Sequence, residues 1–409
     1  MKHKTFIAAS IAALLCAGKA AAEETVFIGI LNDTTGPTAQ VGREFADAKT
    51  DAIDWINAHG GVNGKKIEAD TVDYAYKAPA AIAAYKKWMS AARKPVAIYG
   101  YGTADTEALT GFITADKVVY LSHSFSALLT DPTGASKRVE KPTPYNFFHG
   151  PSYSDACRAN VQHFNTQWKI QGKPAKPKFV YMHDNHPYPN APKEACLAYA
   201  AELGFEVLPA IQYSMRPGDF KAQCLTLKES GADMAYLANS GDSNVSLLKS
   251  CATVGVGAKL YSNVWGYSEI VMAAAGASAP AVIAPFHVAP WGTTNAPGAK
   301  TLAEMSGGKP RTPYYIAAVC TVFYLKEAME WADKNGGLNG DNIRKGFYQK
   351  RNWVPKGFEG VCAPATWTAT DHRSVDKVTL WESLFKNGKP AWKRVADIPM
   401  PREAKWFAR

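Results

Sequence analysis

The chain has 409 residues, 46 basic against 36 acidic, a formal net charge of +10 and an apolar share of 47%. That apolar share builds real cores and excludes a disordered chain, while the length suggests two to three domains at roughly 150 residues each. The basic balance does not point to nucleic acid, because Lys and Arg are scattered without a run of about five or six like charges and read as a solvated surface.

Residues 1–22 carry Lys2 and Lys4, an apolar run from Phe6 to Ala17, and Ala20-Ala21-Ala22 ahead of Glu23-Glu24. This is the three-part layout of a secretory signal peptide, with cleavage expected after Ala22. An uncleaved anchor needs roughly 18 or more apolar residues. Lipoprotein processing at Cys16 wants a small residue before it, and Leu15 stands there. Cleavage removes three lysines and no acid, leaving a net charge of +7. No later segment is apolar enough to span a bilayer, so an exported, soluble product is expected.

The mature chain opens with a strand at 26–31, a turn Asn32-Asp33-Thr34-Thr35-Gly36-Pro37, and a helix whose Val41, Phe45, Ala48, Ala52, Trp55 and Ile56 share one face. That helix stops at His59-Gly60-Gly61, and Val62-Asn63-Gly64-Lys65 turns into a second strand at 66–72. Further strands are predicted at 96–101, 118–122, 178–183, 206–213, 234–238, 259–264 and 281–286. Helices are predicted at 104–115, 153–169, 193–203, 220–230, 243–254 and 314–334. Such β-α alternation means an α/β fold of parallel sheets flanked by helices, and two sheets suit this length better than one.

Six cysteines follow the signal: Cys157, Cys196, Cys224, Cys251, Cys320 and Cys362. Six allow fifteen pairings, and sequence alone does not choose among them. Cys157 and Cys196 lie on successive helices, as do Cys224 and Cys251, and the helix of Cys320 precedes the segment of Cys362. The expectation is sequential pairing, Cys157–Cys196, Cys224–Cys251 and Cys320–Cys362, in an oxidising compartment. A zinc site is the rival, but there is no C-x-x-C and no close His partner.

The run Gly29-Ile30, Thr35-Gly36-Pro37 and Ile56-Asn57-Ala58-His59-Gly60-Gly61-Val62-Asn63-Gly64-Lys65-Lys66 resembles the opening of the type I periplasmic solute-binding proteins. The branch is the one serving ABC importers of branched-chain and other hydrophobic amino acids. The resemblance continues down almost the whole mature chain. It implies two Rossmann-like lobes joined by a three-stranded hinge, with crossings near 142–147, 283–290 and 356–362. One lobe is then 23–143 plus 287–356, and the other 144–286 plus 357–409. It also implies a periplasmic, monomeric receptor for a small amino acid or an apolar or aromatic carboxylate, an inner-membrane ABC permease as partner, and no cofactor.

Ligands of open α/β sheets bind at the carboxyl ends of strands, which puts the candidate contacts on five strand-end loops. In the first, Tyr101, Thr103 and Asp105 stand where the resembled family holds a ligand carboxylate with hydroxyls and backbone amides; Thr103, Asp105 and Thr106 equally suit helix capping. In the second, His123 and Phe125 depart from the family's Ser-Pro-x-Ala-Thr wording and Ser126 stands for its Thr. Core packing is the alternative for Phe125. The third is His183-Asp184-Asn185-His186-Pro187-Tyr188, whose Tyr188 matches a family tyrosine that closes over the ligand, with Pro189 replacing the usual glycine. A metal on these histidines is a weaker reading. The last two loops carry Asn239 with Asp242, and Trp265 where amino-acid binders place an acid for the ligand ammonium. An unpaired buried ammonium costs several kcal/mol, so Asp105 or Asp242 supplies the counter-charge or the ligand has none. Tyr101, Phe125, Tyr188 and Trp265 together would suit a flat, apolar or cationic ligand.

The sequence holds no nucleophile elbow, P-loop, G-x-G-x-x-G or H-E-x-x-H, so an enzyme is not expected. Asp51 and Asp54 read as solvated helix residues. A ligand-sensing receptor of the same fold is the alternative function.

Overall fold

The computed structural model describes residues 24–409; the expected signal at 1–22 lies outside them. The chain first builds a parallel sheet. β1 (Thr25–Asn32), α1 (Ala39–Ala58), β2 (Lys66–Asp73), α2 (Ala78–Ser90), β3 (Ala97–Tyr99), α3 (Thr103–Asp116), β4 (Val119–Leu121) and β5 (Asn146–Phe147) follow one another, with strand order β2-β1-β3-β4-β5. α1 buries Val41, Phe45, Ala48, Ala52, Ile53 and Ile56, a helical stripe that covers the sheet.

A second sheet follows, from α4 (Tyr153–Ile170), β6 (Lys178–His183), α5 (Pro187–Asn190), α6 (Lys193–Glu202), β7 (Glu206–Val207), β8 (Ile211–Gln212), α7 (Lys221–Glu229), β9 (Met234–Leu237), α8 (Gly241–Val254), β10 (Lys259–Ser262), α9 (Glu269–Ala275) and β11 (Ile283–Phe286). Then α10 (Pro297–Met305), α11 (Pro313–Lys334) and α12 (Gly340–Phe347) pack back on the first sheet's side, α11 along α1 and α12 beside β4. A final hairpin, β12 (Lys377–Lys386) and β13 (Lys389–Pro399), extends the second sheet antiparallel to β11, giving the order β13-β12-β11-β10-β9-β6-β7 with β8 also on β6.

The elements differ from the sequence reading in three places. The strand expected at 206–213 is two short pieces, because Pro209 between them has no N–H to give a ladder. α2, β5, α5, α9, α10, α12 and the hairpin are additions. Asp51 is not simply solvated: it accepts hydrogen bonds from the Tyr315 hydroxyl at 2.6 Å and from Arg311 at 3.0 Å, tying α1 to α11.

Three segments run side by side between the sheets. Val288 bridges Cys362 antiparallel, with Ala289 N–H donating to Val361 O and Ala363 N–H to His287 O. His149 Nε2 lies 2.9 Å from Ala363 O, and Gly150 N–H donates to Ser374 Oγ. Disulfides join Cys157–Cys196, Cys224–Cys251 and Cys320–Cys362. The first ties α4 to α6 and the second α7 to α8. The third fastens α11 to the inter-sheet segment at 361–363. The Cys320–Cys362 bond closes a span of 42 residues, for which chain entropy gives a stabilisation of up to about 4 kcal/mol. Cys320→Ser with Cys362→Ser should therefore lower the melting temperature by several degrees; an unchanged melting curve would mean that this bond constrains nothing.

Candidate functional site

The site grows from the strand ends. After β1 the buried Asp33 carboxylate accepts from Gly36 N–H (2.6 Å), Thr38 N–H (2.9 Å) and Thr38 Oγ (2.6 Å), which satisfies the turn and sets where α1 begins. Gly42, one turn into α1, lies against the Asp33 backbone, where a Cβ would collide. The Tyr101 hydroxyl donates toward Thr38, 2.9 Å from Oγ and 3.1 Å from O.

After β2, Ala75 and Tyr76 both adopt left-handed backbone, φ 51° and 57°. Such non-glycine positions cost of order 1–3 kcal/mol each and concentrate at functional sites. Here Asp73 holds the bend, accepting from Ala75 N–H, Thr34 N–H and the hydroxyls of Thr34 and Thr35. The bend aims the Tyr76 ring across the cleft, onto His186 of the other sheet's loop at 5.1 Å between centroids. Gly102 lies beneath that ring, and any side chain there would strike it.

These pieces leave a narrow cavity between the two sheets with about 20 Å³ of free space among the rings. Its wall is Thr38, Val41, Phe45, Tyr76, Tyr101, Gly102 and His123 on one side and Tyr153, Tyr188, Ser240 and Trp265 on the other. Trp265 is the wedge: its ring lies 5.2 Å from Phe45 and 5.1 Å from Phe125, and its indole N–H donates to the Tyr153 hydroxyl at 3.1 Å. A larger concavity of about 830 Å³ lies beside the inter-sheet segments and the closing hairpin, past Trp291, Trp381 and Trp392. The inner cavity is where strand ends and helix starts of both sheets converge, so the inner one is the candidate site.

Of the residues expected at the site, Tyr101, Tyr188 and Trp265 form its wall. The Tyr188 hydroxyl donates to Asn263 Oδ1 at 2.6 Å. Asp242 sits on the seam and accepts from the Gln40 backbone N–H across it at 3.1 Å. Three residues stand one layer back. Thr103 is engaged with Ser124 Oγ at 2.9 Å. Phe125 packs between Phe148 and Trp265, the core role. Asp105 lies behind Gly102, accepting from the Tyr74 hydroxyl (2.6 Å), Gly102 N–H (3.3 Å) and the Tyr120 hydroxyl (3.4 Å).

Two residues leave the site. Ser126 points away and donates to Glu107 Oε1 at 2.7 Å, because its loop enters a short 3₁₀ turn at Ala127. Asn239 braces neighbouring loops, accepting from Asp184 N–H and donating to Tyr213 O. Sequence reasoning overlooked Phe45 as a wall residue, and Tyr76, Tyr153 and Ser240 as well; Phe45 is on the buried stripe of α1, which does not say that the stripe's first turn faces a cleft. Among the described residues no group of three His, Cys, Asp or Glu side chains is placed to hold a metal. His183 is occupied by Asp184 O and Lys193 Nζ, each at 2.8 Å.

Residues 25–389 match the family model described as periplasmic binding protein. A substrate-binding protein of an ABC transporter from Aeropyrum pernix is similar over 94% of this chain and 98% of its own, at 23% identity and TM-score 0.78. A branched-chain amino acid ABC transporter structure from Thermus thermophilus with bound valine has 17% identity, TM-score 0.81 and coverage of 93% and 97%. A fatty acid ABC transporter substrate-binding protein from Thermomonospora curvata has 20% identity, TM-score 0.77 and coverage of 93% of each chain. A search of curated protein sequences finds no match.

Burial pushes the Asp105 carboxyl up to about 7, against the pull of its hydrogen bonds from Tyr74 and Gly102. An acid raised on folding stabilises the fold most below its unfolded value, near 4, and that stability is lost as pH rises through about 7. Wild type should therefore lose about 3 kcal/mol more than Asp105→Asn between pH 5 and 8. Parallel stability profiles from chemical denaturation would show that Asp105 stays ionised throughout.

Proposed function

Because this chain belongs to the periplasmic binding protein family, we propose that it is the substrate-binding component of an ABC importer. It is exported to the periplasm as a monomer and presents its closed form to an inner-membrane permease. The lobe boundary expected at 143/144 belongs after β5, a strand of the first sheet, so the lobes are residues 24–147 with 287–356 and residues 148–286 with 357–409. The family is one of binding proteins, not enzymes. The observation that supports the reading is the origin of the cavity wall: Phe45 comes from α1 and Tyr76 and Tyr101 from strand-end loops of the first sheet, Tyr153, Tyr188 and Trp265 from elements of the second.

A ligand that touches both sets of rings favours the closed arrangement by the difference between its contacts there and in the open one. Only three slender segments link the lobes, so rotation about them is the motion available. The free space between the rings is about 20 Å³, room for about one water, so a ligand enters by parting the two sets of rings. The cleft suits a small amino acid or a compact apolar or aromatic molecule. Valine and fatty acid in the titles of the similar structures belong to those proteins, and they show how far ligands vary on one scaffold.

The test is mass spectrometry of any small molecule that co-purifies with the mature protein, followed by tryptophan-fluorescence titration with that compound. Trp265→Ala should weaken binding at least about tenfold, the loss of one well-packed aromatic contact, while the fold stays intact by circular dichroism. Unchanged affinity would remove Trp265 from the site.

A further inference from the structure

We propose that the cavity is an aromatic cage for a small organic cation that also carries a hydroxyl and bears no carboxylate. This rests on the receptor reading above and narrows its ligand class.

Six aromatic rings line the wall, Phe45, Tyr76, Tyr101, Tyr153, Tyr188 and Trp265, and among its lining residues there is no Lys or Arg. Ring faces carry negative potential and attract a cation held within about 6 Å. Carboxylates stand behind the rings. The Tyr101 hydroxyl donates to Thr38, whose Oγ donates to Asp33, so the ring is polarised toward a buried anion. Asp105 lies behind Gly102 and hydrogen-bonds Tyr74, and Asp242 sits on the seam. The buried Lys49 is engaged elsewhere: its Nζ donates to Leu31 O and Asn32 Oδ1 and lies 4.2 Å from the centroid of the Tyr99 ring, and burial holds its pKa well below the ordinary lysine value.

The start of α3 is closed to a carboxylate. That is the place where backbone N–H groups would receive one, and there Asp105 already takes the Gly102 N–H. An incoming anion would face that carboxyl group across Gly102.

The hydroxyl follows from two unpartnered atoms in the wall. His123 is 3% exposed and its Nδ1 has no hydrogen-bond partner; Ser240 Oγ, on a residue 1% exposed, has none either. The Tyr99 hydroxyl donates to Ala318 O, so the proton shared with His123 sits on His123 Nε2, and Nδ1 is left as a bare acceptor. A buried polar atom without a partner costs roughly 1–3 kcal/mol. A ligand hydroxyl donating to His123 Nδ1 and accepting from Ser240 Oγ relieves both.

The experiment is calorimetric titration of the mature, disulfide-intact protein, stripped of bound small molecules in guanidinium and refolded. Four probes are used: choline, its uncharged isostere 3,3-dimethyl-1-butanol, leucine and benzoate. Choline should bind at least about tenfold more tightly than the isostere, and leucine and benzoate more weakly still. Tyr101→Leu should erase the preference for charge, while Tyr101→Phe keeps most of it. Equal affinity for choline and its isostere overturns the cage, as does any failure of choline to bind. If leucine or benzoate binds instead, the receptor reading stands and only the cage falls. If no probe binds and nothing co-purifies, both fall.

Discussion

The carboxylate of Asp33 is the constraint on which the cleft depends. It is fully buried, and a buried charge is tolerable only when its lone pairs are filled. Two N–H groups and a hydroxyl fill them, and all three come from the next five residues of the chain. The turn is therefore rigid before α1 starts. From it α1 carries Val41 and Phe45 into the cavity wall, and Thr38 holds the Tyr101 hydroxyl from the neighbouring strand end. Moving Asp33 would shift the helix and both rings together.

The seam between the lobes is built of contacts that can part. Phe45 against Trp265 and Tyr76 against His186 are ring contacts, and Gln40 to Asp242 is a single hydrogen bond. Ring contacts contribute about 0.5–1.5 kcal/mol each beyond area burial, so no one of them locks the cleft. Rigidity is placed elsewhere: the sheets, the Cys157–Cys196 and Cys224–Cys251 disulfides of the second lobe, and the left-handed bend at Ala75-Tyr76 of the first, held by Asp73, keep the rings in position.

Much of this was legible in the sequence because the alternation of strand and helix repeats without interruption from Val26 to Phe286. The register of buried residues in α1, and the sequential order of the cysteines, follow from local pattern. What was not legible arises where residues distant in sequence meet. Tyr76 sits beside a strand end, but nothing local shows that two left-handed residues will swing it into the cleft. Asp105 resembled a ligand contact, yet Tyr74 and Tyr120 draw it behind Gly102. The closing hairpin was readable in principle: Asn387-Gly388, φ 51° and 75°, is the pair that suits a two-residue hairpin turn between β12 and β13, and its signal was lost among the charged residues around it.

The cysteine connectivity bears on how such a chain is made. Each bond joins a cysteine to the very next one, over spans of 39, 27 and 42 residues. A polypeptide threaded through a membrane N-terminus first can complete each bond before the following cysteine arrives. An oxidant acting on whichever two thiols are present therefore makes the native set by order of emergence alone. For a chain exported as proposed above, isomerase rescue is needed only when export outruns oxidation, and its yield is governed by the ratio of those two rates.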